Sequence, residues 1–493
     1  MADNEARTRS EARTKLAAQL TPPARVHFVG ISGTAMASAA TLLKEQGFQI
    51  SGSDRAFYPP MGEVVRALTD QVYESYATEN LEPAPDLVVI GNAVGASNPE
   101  AQYVEQRPLP YVSLPELLRA RLIKERDEVA TSVVVAGTHG KTTTTTAIAH
   151  ILEQAGKNPG YLIGGMPKNL PSSIKAATND VVVLEGDEYD SAYFAKWPKF
   201  LSYRPDVLIL TNLEFDHADI YSSLADIKRE FIAVANLVPK EGLILYCADD
   251  KNLRELFETT SFDAKTLAYG FSNVAILRVS AKVSDSNQKL SCTLINGTLT
   301  ATTSMLGKHN AQNLLVAAAC AEYLSVHSSV IESAIESFRG VRRRQEQLVN
   351  SEEVLLIEDF AHHPSAVKTT LAGLKAAYPK RRLVAVFEPR SNTSRQQFFQ
   401  DAYVASLGIA NAAYLKTVSD TAIYSATKQQ VELLDVPQVV AELRSQGIIA
   451  ECYSETDALF SAITEGHQPG DVVVVMSNGS FDGLAGRLRE RWA

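Results

Sequence analysis

Short apolar runs alternate with helix-spaced segments along the whole chain, and most of the runs end in a polar turn. Val26–Val29, Leu87–Ile90, Val133–Ala136, Val181–Leu184, Val207–Leu210, Val354–Ile357, Leu383–Phe387 and Val472–Met476 are almost uninterrupted. Such runs read as strands buried on both faces of a parallel sheet. Helical spacing predicts a helix over Ala37–Gln46, followed by a strand ending at Ser51–Asp54, and a further helix starting near Pro364. Strand-helix alternation of this kind specifies the α/β class. It divides into three blocks, 1–125, 126–345 and 346–493, with the charged Arg119–Glu128 stretch as the linker between the first two.

The polar turns carry the chemistry. Val133–Ala136 empties into Gly137-Thr138-His139-Gly140-Lys141-Thr142-Thr143 and then a helix. Glycines let backbone N–H groups close around phosphate oxygens, Lys141 neutralises β/γ charge and the Thr142 hydroxyl is a Mg²⁺ ligand candidate. The pattern is Gly-x-x-Gly-Lys-Thr; the longer phosphate-loop pattern would need glycine at Val135. Two acidic clusters follow strands of the same block, Glu185-Gly-Asp187-Glu188-Tyr-Asp190 and Glu214-Phe-Asp216-His217. Carboxylates so placed repel unless a cation sits among them, and Mg²⁺ takes hard oxygens and keeps waters. Thr142, Glu185 and one or two groups of the second cluster suffice. His217 is open between a nitrogen ligand, a phosphate contact and a satisfied histidine.

The first block opens with strand, glycine turn, helix, strand and acid, through Gly30, Ser32, Gly33 and Asp54. GxGxxG is incomplete, which disfavours a nicotinamide cofactor; a pyrophosphate at the helix N-terminus with Asp54 near a sugar hydroxyl is the simpler reading. Asn92 follows another strand end. Leu306–Asn313 enters an alanine-rich helix that Asn310 is expected to cap, with His309 and Asn313 offering a flat face and amide groups suited to adenine. Arg342, Arg343 and Arg344 suit either phosphate contacts or a basic surface turn. In the last block three strand ends bring Asp359, His362 and His363, then Arg390, Ser391, Asn392 and Arg395, then Ser477 and Asn478 to one sheet edge, a pocket for a carboxylate-bearing ligand. The expected architecture is a Rossmann-like first domain, a P-loop ATPase-like central domain and a Rossmann-like C-terminal domain.

Composition narrows the class. The 493 residues are 45% apolar and 21% charged, with no run long enough to span a bilayer. The first twenty residues lack an apolar leader core, so a cytoplasmic chain is expected. Cys247, Cys292, Cys320 and Cys452 form no CxxC pair and read as reduced thiols. A net charge of −10 argues against a general nucleic-acid binder.

GTHGKTTT, EGDEYD, TNLEFDHAD, GKHNAQN, GVRRR and DFAHHPSAV, in this order and spacing, resemble the Mur ligase family over essentially the whole chain. The resemblance implies an ATP- and Mg²⁺-dependent amide ligase acting on UDP-N-acetylmuramate in peptidoglycan recycling, working as a monomer or weak homo-oligomer. EGDEYDSAYFAKWPKF, FEPRSNTSR and MSNGSFDGL look like the branch that adds a preformed murein tripeptide; the L-alanine-adding branch is the alternative. Implied roles place Gly30, Ser32, Gly33, Asp54 and Asn92 on the UDP-sugar and Gly137–Thr143 on the phosphates. Thr142, Glu185 and His217 would form the magnesium shell, with Lys141, Glu185 and His217 catalytic. His309, Asn310 and Asn313 would face adenine, and Arg343 and Asp359 would close over ATP. His363, Arg390, Ser391, Asn392, Ser477 and Asn478 would meet the peptide. The family's carbamylated lysine position is Phe231 here, and Lys228 is a poor substitute on spacing.

Overall fold

The structure is a computed structural model describing residues 2–57, 61–123, 131–178, 180–218, 220–284, 286–419 and 421–493, with the side chains of 2–4 and 6 outside the description. The apolar runs become the central strands of three sheets. The first has the order Val72–Tyr73, Gln49–Ser53, Arg25–Val29, Leu87–Ile90, Tyr111–Ser113, all parallel. Its strand order reverses beside Arg25–Val29, where such a sheet opens a crevice. In the ten-stranded central sheet, Thr131–Ala136 lies between Val207–Leu210 and Val181–Glu185, parallel to both. The six-stranded C-terminal sheet centres on Asp471–Met476, flanked by Val354–Asp359 and Leu383–Phe387, with Glu346–Asn350 antiparallel at one edge.

Two elements escape the sequence reading. An antiparallel meander, Leu277–Ser284, Asn287–Thr293 and Thr298–Thr303, extends one side of the central sheet with alternating buried and exposed positions. Helix Ala2–Gln19 packs near the first sheet, where Arg13 pairs with Glu116 at 2.8 Å and Glu11 holds both Arg119 and Arg204.

Three expectations need correction. The predicted Ala37–Gln46 helix runs over Thr34–Glu45, starting directly at the glycine turn. Arg119–Ile123 is not linker but a helical turn burying Ala120, Leu122 and Ile123. Its apolar residues outweigh the charge pattern; the rest of that stretch, and with it the boundary at 125/126, lies outside the described residues. Asn310 does not cap its helix. Lys308–Tyr323 begins at Gly307, whose φ of +91° makes the turn, and the Asn310 carboxamide donates to the Leu306 carbonyl at 2.8 Å from inside the first helical turn.

The apolar cores divide unequally. One continuous cluster joins the first and central sheets, from Val26 and Phe28 to Val133 and Leu208. The C-terminal sheet has a cluster of its own on each face. Phe215 of the central domain packs against one of these clusters, and polar contacts of the seam lie around the site described next.

Candidate active site

Buried on both faces, Thr131–Ala136 delivers its carboxyl end into a glycine turn. Gly137 has φ +132° and Gly140 φ +82°. A Cβ on Gly137 would stand 2.1 Å from Thr211 Oγ1, and one on Gly140 would stand 2.7 Å from Asn313 Oδ1. The turn is tied down by its neighbour strand: the Thr138 and His139 N–H groups donate to the Asn212 carbonyl and Oδ1 at 3.2 and 2.7 Å. Helix Lys141–Gln154 starts there, and its first turn faces a cavity of about 430 Å³ between the central and C-terminal domains.

Two short chains of polar contacts line this cavity. Thr142 Oγ1 donates to Glu185 Oε1 at 2.9 Å, and Gly164 N–H donates to Glu185 Oε2 at 2.6 Å. Burial raises the Glu185 pKa, against the pull of these donors and Lys141. In the second chain, Lys141 Nζ reaches Glu188 Oε2 at 2.8 Å and the Gly137 carbonyl at 2.6 Å, while the other oxygen of Glu188 lies 3.0 Å from His217 Nε2. Burial opposes charge on Lys141 and on His217. The carboxylates win in both: the Lys141 pKa rises, and that of His217 reaches about 9 through Glu188 and Asp216. Burial also opposes ionisation of Asp216, but the nearby imidazoles and Thr393 hold its carboxyl well below the usual range. His217 sits at φ +55°, its N–H 2.7 Å from Asp216 Oδ1 and 3.2 Å from Thr393 Oγ1 of the C-terminal domain.

The donor set fits a magnesium ion at Thr142 and Glu185, where a hydroxyl and a partly desolvated carboxylate meet on the cavity wall. His217 lines the same cavity, but its nitrogen faces Glu188. The expected three-residue shell is therefore split, because Glu188, left out of the expected site set, takes both Lys141 and His217. Its signal was present in the EGDEYD cluster.

His309, Asn310 and Asn313 line the cavity with Gln312 and Gln345. Burial lowers the His309 pKa to about 4, leaving a neutral ring. Asp359 also lines the cavity and accepts the Gln345 N–H at 2.7 Å. Arg343 does not line it. At φ +60° its guanidinium turns to Glu358 and to the Ser477 and Gly479 carbonyls. Arg344 faces the cavity instead, with Nη2 3.4 Å from Thr142 Oγ1 and its guanidinium over the Phe360 ring. Three successive arginines gave no means of telling which one faces in.

The other expected positions spread wider. Arg390 and Asn392 are exposed, and Arg390 lies against Gly479, where a Cβ would come 1.8 Å from its Nη1. Ser391 Oγ bonds Ser394 Oγ at 2.9 Å. Ser477 is turned inward, donating to Glu388 Oε2 at 2.5 Å, so its hydroxyl faces the domain core. Asn478 lines the cavity, with a buried Oδ1 that has no protein partner. Arg395 is buried, its guanidinium holding the Ser419 and Thr421 carbonyls, which makes it a brace for that loop. His363 caps helix Pro364–Ala377 in sequence but bonds Ser365 Oγ at 2.8 Å. In the first domain, Gly30 takes φ +85°, Ser32 N–H donates to Asp54 Oδ2 at 2.9 Å, Gly33 precedes helix Thr34–Glu45, and Asn92 is exposed after its strand. Phe231 is buried against Phe200 and Lys228 pairs with Glu255 at the surface.

The chain matches three successive family models: "Mur ligase family, catalytic domain" over 25–126, "Mur ligase middle domain" over 135–321 and "Mur ligase, glutamate ligase domain" over 343–479. The chain belongs to the Mur ligase family. Mur ligases are ATP-dependent amide-forming enzymes, and this chain is one of them. It is 35% identical, over 94% of its length and 97% of the relative's, to the UDP-N-acetylmuramate–L-alanyl-γ-D-glutamyl-meso-2,6-diaminoheptandioate ligase of Escherichia coli K12. It is 33% identical, over 94% of its length and 96% of the relative's, to the UDP-N-acetylmuramate–L-alanine ligase of Nitrosomonas eutropha. A crystal structure of a murein peptide ligase from Psychrobacter arcticus superposes with a TM-score of 0.68 at 32% identity, over 94% of this chain and 98% of that one. Among the described residues, no helix is long and apolar enough to cross a membrane.

Proposed function

We propose that this Mur ligase joins the lactyl carboxylate of UDP-N-acetylmuramate to the amine of L-alanyl-γ-D-glutamyl-meso-diaminopimelate at the expense of ATP, in peptidoglycan recycling. The observation that carries the reading is the cavity wall, where Lys141, Thr142 and Glu185 meet below loops of the C-terminal domain. The preference for tripeptide is supported by the 35% identity to a relative named for that reaction and by the exposed Arg390 beside Gly479, a fork suited to carboxylates.

A carboxylate is a poor acyl donor, so its oxygen attacks the γ-phosphorus and ADP leaves, giving an acyl phosphate. The amine then attacks the acyl carbon, phosphate leaves and an amide remains. Magnesium, held by Thr142 and Glu185, supplies charge neutralisation at the phosphates when bound. Lys141 adds a fixed ammonium, and Arg344 a guanidinium, on the same wall. The nucleophilic amine must shed a proton. His217, charged at neutral pH, is unsuited to take it; His362, which lines the cavity on the C-terminal-domain side and whose pKa burial lowers, is a neutral imidazole available for that role, with Nδ1 3.0 Å from the Phe360 carbonyl. Because the C-terminal domain has cores of its own, it can close on the other two and exclude water from the acyl phosphate.

Phosphate release from ATP and Mg²⁺ with UDP-N-acetylmuramate, comparing the tripeptide with free L-alanine and weighing the product by mass spectrometry, tests the proposal. Turnover with the tripeptide and little with alanine is expected. The reverse preference assigns the chain to the L-alanine reaction, and no substrate-dependent turnover sinks the ligase reading.

A further inference from the structure

The seam between the phosphate loop and the first turn of helix Pro364–Ala377 holds a cluster that the reaction above does not use as a unit. His139 comes from the loop, Glu214 from the segment after strand Val207–Leu210, and His363 and Ser365 from the C-terminal domain. Their polar atoms converge. His139 Nε2 and His363 Nδ1 lie 3.0 and 2.8 Å from Ser365 Oγ, and 3.9 and 3.4 Å from Glu214 Oε2. A four-coordinate zinc ion with nitrogen and oxygen ligands at about 2.0–2.1 Å needs ligand separations of about 3.3 Å. Each of the four measured edges differs from that by roughly 0.6 Å or less, within reach of small side-chain rotations.

The chemistry of the donors selects the ion. Two imidazoles and one carboxylate suit zinc-class metals, whereas magnesium prefers six oxygens in an octahedron. Both rings are neutral and so offer lone pairs: burial pushes the His139 pKa well below its ordinary value and that of His363 down to about 4. The neighbouring acidic cluster of Asp187, Glu188 and His217 is a weaker candidate for such an ion. It has one nitrogen, on a ring that Glu188 keeps charged, and the Lys141 ammonium already sits on Glu188.

We propose that His139, Glu214 and His363, with the Ser365 hydroxyl at the fourth position, form a binding site for a zinc-class metal ion, separate from the magnesium position at Thr142 and Glu185. Two ligands lie on each side of the domain seam. Occupancy therefore pins the phosphate loop to the C-terminal domain and slows the reopening that product release requires.

The test uses the full-length protein, freed of metal with a chelator, titrated with Co²⁺ in excess Mg²⁺ and without nucleotide. One equivalent should give the intense visible absorption of a four-coordinate ion, and Zn²⁺ should displace it. His363→Ala and Glu214→Gln should each weaken Co²⁺ binding at least about tenfold, and His217→Ala should leave it in place. Glu214→Gln keeps the side chain's size and decides the matter if circular dichroism shows His363→Ala misfolded. A weak six-coordinate spectrum, no binding, or absorption lost with His217→Ala but kept in Glu214→Gln overturns the proposal. The readout requires neither nucleotide nor acyl transfer, so its failure and that of the ligase reading are distinguishable.

Discussion

Gly30 and Gly137 hold the same place in two parallel sheets, the first residue past a central strand and the start of a turn into a helix. Around Gly30 the turn is tied to the end of the adjacent strand, Gln49–Ser53. The N–H groups of Gly30 and Ile31 donate to the Ser53 carbonyl, and that of Ser32 donates to the Asp54 carboxylate. Around Gly137 the adjacent strand end again takes the first two N–H groups past the glycine, through Asn212, but the anchor is a neutral amide and the helix opens on the cavity with an ammonium and hydroxyls. A turn anchored on a neighbouring carboxylate repels added negative charge at that point, whereas one that opens under a lysine attracts it. Under the proposed function, the same backbone device would meet sugar hydroxyls in one domain and a triphosphate in the other, with Asp54 and Lys141 making the difference.

Lys141→Ala should produce the largest effect. Loss of the ammonium proposed to neutralise the transferring phosphate should lower kcat by about 10²–10³-fold in a phosphate-release assay, and circular dichroism should show the fold retained. A fall of only a few-fold would mean that Arg344 alone carries the charge, and the contrast between the two turns would weaken.

Glu188→Gln sharpens the same point through pH. With Glu188 present, the folded-state pKa of His217 is raised from 6.5 to about 9. The stability it contributes is fully present below the unfolded value and is lost as pH rises through about 9. Thermal melts of the wild type should therefore decline across that window, and the His217 ring signal should titrate within it by NMR. In Glu188→Gln the imidazole loses the carboxylate hydrogen-bonded to its Nε2, so both transitions should move down by about one to two pH units. An unshifted titration would assign the raised pKa to Asp216.

The contrast also explains what the chain disclosed in advance. Strand ends were legible because buried runs such as Val207–Leu210 have one reading, and Gly137–Thr143 because lysine after a glycine turn has a mechanism. The meander from Leu277 to Thr303 alternates by twos, but threonine, serine and lysine blur its apolar face. Side-chain direction was the larger gap. Arg343 and Arg344 differ in role because a positive φ rotates the first away, and Ser477 and Arg395 face the protein because Glu388 and the Ser419 and Thr421 carbonyls wait there. Such partners lie tens of residues away, beyond any local pattern.

Gly33→Ala probes the first turn for a ligand. Gly33 has φ −62°, and a Cβ there would meet nothing closer than 3.6 Å, so stability should change by less than about 0.5 kcal/mol. If the pyrophosphate of UDP-N-acetylmuramate approaches this helix start, the added methyl should raise its KM about tenfold while leaving the KM for ATP unchanged. An unchanged KM for both would move the sugar nucleotide elsewhere on the first domain.

Asp54→Asn should act least on turnover and most informatively on the turn itself. One carboxylate oxygen accepts the Ser32 N–H at 2.9 Å, and the other faces the Arg55 N–H at 2.7 Å and the Tyr76 hydroxyl at 3.3 Å. A carboxamide keeps one acceptor and sets a donor against the other side, costing about 1 kcal/mol of stability. Removing the negative charge also eases the approach of phosphate, so the KM for UDP-N-acetylmuramate should shift by no more than about threefold. The spectroscopic consequence is sharper. Burial and then the Asp54 charge push the Tyr76 phenol up to about 12, so a tyrosinate titration at 295 nm should show one phenol ionising at lower pH in the variant. If that phenol does not move while KM rises tenfold or more, Asp54 acts on the ligand directly, and the turn around Gly30 is a binding device of the same kind as the one around Gly137.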